Sequence, residues 1–97
     1  MRLESTAMAV VIIRHKVKDF AAWKSAYDAH KPARDAAGLS KAQVLRSAGD
    51  PNEVVLLFDA ADINKAKGFV ASADLQSAMR GAGVVDKPDI YFLNPAD

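Results

Sequence analysis

Two stretches of this chain are apolar at every position, Val10-Val11-Ile12-Ile13 and Val54-Val55-Leu56-Leu57-Phe58. Side chains alternate across a strand, so a run without polar interruption needs apolar cover on both faces of its sheet. The β-branched content marks both runs as strands. Strand one is expected over Ala9–Val17; after Ile13 it alternates, with His15 and Val17 on one face and Arg14 and Lys16 on the other. Any fold for this chain must therefore cover both faces of its two central strands.

Few elements are available to do so. Asp19 is a plausible N-cap for a helix that begins at Phe20. At helical spacing Phe20, Trp23, Tyr27, His30 and Arg34 form one stripe, and Ala22, Ala26, Ala29, Ala33 and Ala37 form a second beside it. Lys24, Asp28, Lys31 and Asp35 lie on the opposite, solvated side. Pro32 removes a backbone donor and predicts a kink or break, and Gly38 supplies the stop. Strand two is expected over Leu39–Ala48, a four-residue turn at Gly49-Asp50-Pro51-Asn52, and strand three over Glu53–Phe58. Asp62 caps a second helix through Ala66, Phe69 and Val70. Ser72 marks a second capped start leading to Leu75, Ala78 and Met79. Gly81-Ala82-Gly83 ends it, and a last strand runs over Asp89–Leu93.

The order β-α-β-β-α-β is that of a ferredoxin-like α+β fold: a four-stranded antiparallel sheet with both helices on one face. The other face then stays uncovered although strands one and three are apolar there. A second copy of the chain is the simplest cover, so a homodimer through the open sheet face is expected. The 97 residues suit one domain, expected over 8–97, with 1–7 an extended or disordered leader ahead of a second methionine, Met8. A core this small buries about 65% of the unfolded surface, a modest margin that pairing would help.

Composition removes several function classes. Thirteen Lys and Arg against twelve Asp and Glu leave a net charge of +1, without the basic excess of a nucleic-acid binder. Strand three has no basic residue around exposed aromatics, so an RNA-binding use of this topology is disfavoured as well. No cysteine is present, which removes thiol catalysis, zinc ribbons and iron–sulfur clusters. Phosphate-binding glycine loops, nucleophile elbows and histidine-rich metal motifs are absent from the sequence. No cofactor and no metal are therefore expected. With no membrane span or signal peptide legible, no membrane partner and a cytoplasmic location are expected.

Val17-Lys18-Asp19-Phe20 followed by Trp23, Tyr27-Asp28, His30, Arg34 and Gly38, then Asp50-Pro51-Asn52-Glu53-Val54, then Asp62, Ala66, Phe69-Val70, Ser72, Leu75, Met79 and Ala82-Gly83-Val84 form an ordered pattern across residues 8–93. In that order and spacing the chain resembles the dimeric α+β barrel superfamily, which includes antibiotic biosynthesis monooxygenase-like and muconolactone isomerase-like proteins. The resemblance implies two ferredoxin-like protomers paired sheet to sheet, with a small-molecule pocket between each sheet and its helices. It also implies a cofactor-free reaction of monooxygenase, isomerase or cyclase type on a small aromatic or carbonyl-bearing substrate. The Asn, Trp and His of haem-degrading members are missing: strand three reads Asp59-Ala60 and the second helix Phe69 at those places, and strand one has no Asn.

His30 and Arg34 are the candidate catalytic pair. His30 is either a general acid/base or a core histidine bonded to backbone or to a carboxylate such as Glu53. Arg34 either recognises an anionic group or pairs with an acid. Trp23 and Tyr27 either wall a ligand pocket, with the hydroxyl as polar handle, or pack the core. His15 points either into that pocket or into the dimer interface. Arg46, on the face of strand two that carries Val44, meets a ligand or a partner or is simply solvated. Asn52 and Glu53 are explained by turn chemistry and a salt bridge to helix one. Tyr91 is read as core or interface packing. A small ligand-binding or structural dimer without catalysis is the alternative to an enzyme.

Overall fold

The structure is a computed structural model that describes residues 8–96. The leader expected over 1–7 lies outside the described residues. Eight elements follow one another: β1 (Ala9–Lys16), α1 (Phe20–Ala29), α2 (Lys31–Ala36), β2 (Leu39–Ser47), β3 (Asp50–Ala60), α3 (Ile63–Val70), α4 (Ala73–Gly81) and β4 (Asp89–Leu93). The strands form one antiparallel sheet in the order β2-β3-β1-β4, the ferredoxin-like arrangement. Each expected helix is divided in two. Pro32 falls in the first turn of α2, where its missing N–H costs least, and His30 joins α1 to α2. The second division follows from Ser72, whose hydroxyl accepts from the Leu75 N–H and starts α4 anew. Asp19 and Asp62 cap α1 and α3 in the same way. Gly38 closes α2 at φ +79°, a conformation that favours glycine.

The hairpin turn is tighter than its sequence suggests. Ser47 already pairs with Asp50 around Ala48-Gly49, so Pro51 and Asn52 belong to β3. Pro51 is tolerated there because β3 pairs with β1 only from Glu53 onward. Asn52 instead ties the hairpin to α1: its side-chain oxygen accepts from the Phe20 N–H at 3.1 Å. A second irregularity in β2 lies between Ser40 and Gln43, where Lys41 adopts φ +50°.

The two faces of the sheet separate cleanly. Toward the helices point Val11, Ile13 and His15 of β1 and Val54, Leu56, Phe58 and Ala60 of β3, all buried. They pack with Trp23, Leu39 and Ala66 into one core. On the outer face Ile12 pairs with Leu57 and Tyr91, Val10 with Leu93, and Val55 with Leu45. Leu45, Tyr91 and Leu93 are 47%, 53% and 43% exposed, so this apolar face has no cover among the described residues. At its end Arg14 gathers Asp89 at 2.8 Å, Asp86 at 3.1 Å and Glu53 at 3.2 Å. Glu53 thus joins β3 to β1 and not to helix one. The Asp86 carboxyl is held below its ordinary range by the Lys16 backbone N–H and by Arg14.

Candidate functional site

The strand parity of β1 carries His15 to the helix side, where it is 2% exposed. Trp23, on the buried face of α1, meets the His15 ring edge-on at 5.5 Å between centroids. One helical turn later Tyr27 stacks on Trp23 at 4.9 Å, as i,i+4 spacing requires. Arg34 comes back along α2 and lays its guanidinium 3.7 Å over the Tyr27 ring, while its Nη1 donates to the Tyr27 carbonyl at 2.6 Å. Among the described residues no carboxylate pairs with Arg34, although the residue is buried. His30, half-buried at the α1–α2 joint, stacks on Phe69 of α3 at 6.2 Å.

These side chains converge. His15, Trp23, Tyr27, His30 and Arg34 line one cleft between the sheet and the helices. Its volume is about 100 Å³, less than the roughly 300 Å³ at the lower end of ligand pockets. Ile13, Leu56 and Phe58 form the floor, and Phe69, Leu75, Ala78, Met79 and Ala82 close the second helical wall. That wall was not foreseen as part of a site. Its only signal is helical spacing of apolar residues through α3 and α4, which ordinary packing produces equally. Arg46 is not brought to the cleft. Its Nε donates to the Pro51 carbonyl at 2.9 Å and its guanidinium lies 3.9 Å over Phe20.

The polar atoms of the cleft are unusual. Both ring nitrogens of His15 and the Tyr27 hydroxyl are buried without a hydrogen-bond partner among the described residues. Burial pushes the His15 imidazole below its ordinary range, helped by Arg14 and opposed by Asp86. Burial likewise raises the Tyr27 phenol, against Arg34 and Lys24. At neutral pH His15 therefore offers a neutral imidazole and Tyr27 a neutral phenol beside the Arg34 guanidinium. Such a set can accept a proton, donate a hydrogen bond and stabilise an anion. Among the described residues no three His, Asp or Glu side chains are grouped as metal ligands.

The His15 shift has a measurable consequence. Its folded pKa lies below the unfolded value near ~6.5, so the unfolded chain binds more protons as pH falls through that range. Stability should decline on acidification below about pH 6.5. Urea denaturation of wild type and His15→Gln at pH 7.5 and 5.5 checks this: the wild type should lose more between the two. Asp86 acts lower, its contribution being present above its unfolded value near ~4 and lost below it.

The fold matches solved structures. A protein described as antibiotic biosynthesis monooxygenase-like, from Bordetella bronchiseptica, superposes with a TM-score of 0.76 over 93% of this chain and 98% of its own, at 20% identity. One from Caulobacter crescentus gives 0.71 over 94% and 92%, at 18% identity. SnoaB, a cofactor-independent oxygenase from Streptomyces nogalater, gives 0.68 over 93% and 96%, at 15% identity. No known family profile and no curated protein matches this sequence. The class defined is thus a ferredoxin-like α+β domain. More particularly, its fold is that of the antibiotic biosynthesis monooxygenase-like proteins.

Proposed function

We propose that the protein is a cofactor-free enzyme that removes a proton from a small aromatic or carbonyl-bearing substrate in this cleft. One observation carries the reading: a buried, neutral imidazole, with no partner for either nitrogen among the described residues, faces an apolar, aromatic cavity. Nothing in core packing calls for such a group, since burying an unpaired polar side chain costs stability. His15 acts as the base, and the imidazolium it becomes is balanced by the enolate or phenolate left on the substrate. The Tyr27 hydroxyl donates to the substrate oxygen, and Arg34 stabilises its charge. Trp23 and Phe69 hold the ring, and His30, half-exposed, exchanges the proton with solvent. With dioxygen as co-substrate the carbanion or phenolate would be oxygenated, the reaction type printed for SnoaB. Without dioxygen, return of the proton to another atom gives isomerisation or cyclisation.

The test is proton exchange. Small aryl ketones with α-hydrogens, incubated with the protein in D2O, should gain deuterium at the α-carbon, followed by NMR. Exchange no faster than in buffer, together with ligand binding, would establish the alternative of a non-catalytic ligand-binding domain.

The open sheet face belongs to the same reading: a second copy of the chain is its occupant. Leu57 pairs with Ile12 of β1 and Gln43 of β2 and stands two residues along β3 from Val55, on the exposed apolar face. Light scattering at micromolar concentration should give the mass of two chains, and Leu57→Asp should give the mass of one. A wild-type mass of one chain would refute the pairing.

A further inference from the structure

A second cavity, of about 180 Å³, lies beside the cleft and shares two of its walls, Arg34 and Phe58. Its remaining lining has a different character. Lys31 and Lys41 bring cations to it, Asp35 is its one carboxylate, and that carboxylate is already engaged by Lys31 at 2.8 Å. Lys41 has no ion-pair partner among the described residues, and neither does Arg34. Three cations thus meet one satisfied acid. Arg34 spends one N–H on the Tyr27 carbonyl and has no other protein acceptor among the described residues. A buried guanidinium held in place by ring stacking and one backbone bond, with its remaining donors unspent, is preorganised for a planar anion. Lys41 enters the lining through the bulge in β2, where its backbone takes φ +50°. Removing that bulge would restore regular alternation, so the irregularity is what places Lys41 where it stands.

We infer that this second cavity is an anion subsite of the same site, and that the substrate is an aromatic carboxylate whose ring fills the cleft and whose carboxylate binds Arg34 with Lys41. The inference rests on the proposed use of the cleft and deepens it by naming the substrate class. It also answers the small cleft volume: the ring needs the first cavity, and the acidic arm occupies the second.

The probes are 3-phenylpropionate and its uncharged amide, titrated calorimetrically and by Trp23 fluorescence. The carboxylate should bind about tenfold more tightly than the amide, the order of one charge-assisted contact. Lys41→Gln, an exposed substitution that leaves the core intact, should weaken the carboxylate about two- to fivefold and leave the amide unchanged. Arg34→Gln should erase the difference between the two probes. Equal affinities in the wild type, or an unchanged carboxylate affinity in Lys41→Gln, overturn the subsite. If in that case both probes still quench Trp23, the cleft reading survives alone. If neither probe binds, both readings fall together.

Discussion

His15→Leu is expected to make the protein more stable and to remove its activity. Leucine fills much of the same space in the core without bringing buried nitrogens that have no partner among the described residues. Relieving an unsatisfied buried polar group is worth about 1–3 kcal/mol. Against that stands the edge-on contact with Trp23, of the kind that contributes about 0.5–1.5 kcal/mol. The net gain is about 1 kcal/mol, or a rise in Tm of about 4–8 °C for a domain of this size. Proton exchange into the probe ketones should fall about 10²–10⁴-fold, the usual contribution of a positioned general base. Calorimetry and NMR on the same sample decide the matter. A destabilised variant would mean that His15 is a satisfied core residue and that the base lies elsewhere.

Trp23→Ala should have the opposite signature, a large loss of stability. Trp23 is 3% exposed and contacts three aromatic rings: His15, Phe20 and Tyr27. Truncating a buried tryptophan costs about 3–5 kcal/mol, a large share of the ~5–15 kcal/mol available to a small domain. Tyr27 would lose the ring it stacks on, and with it the platform under Arg34. Urea denaturation followed by circular dichroism is the appropriate measurement, since the only tryptophan fluorophore is gone. Trp23→Phe keeps an aromatic stack and should cost less than half as much. An equal loss in both would mean that the indole N–H, and not ring packing, holds the site together.

Most of the fold was legible because its signals are local. Capping side chains at Asp19, Asp62 and Ser72, the break at Pro32 and the stop at Gly38 act within a turn of the backbone they bond. The hairpin was less legible. Gly49-Asp50-Pro51-Asn52 has the composition of a four-residue turn, yet strand pairing continued to Asp50 and drew Pro51 and Asn52 into β3. Local preference yielded there to ladder hydrogen bonds.

Parts of the site were legible for the same reason. Trp23, Tyr27, His30 and Arg34 share one helical stripe, and all four line the cleft despite the break between α1 and α2. The wall from α3 and α4 was not legible, because Phe69, Leu75 and Met79 meet Trp23 and Tyr27 only through the fold. Arg46 shows the converse. Its position on β2 is compatible with a site, but the tight hairpin carries it onto Phe20 and the Pro51 carbonyl.

The amino-acid sequence by itself determined the elements, their order and the existence of two apolar sheet faces with helix enough for one. Periodicity and capping depend on neighbours a few residues apart, and these are written directly in the chain. Strand parity likewise determined that His15 shares a face with Ile13. Only the tertiary structure decided which face the helices cover, and hence that His15 is buried beside Trp23 and not turned outward beside Arg14. Only it left Arg34 without an acid among the described residues while giving three acids to Arg14. Those outcomes depend on pairings between residues tens of positions apart, whose energies no local pattern encodes.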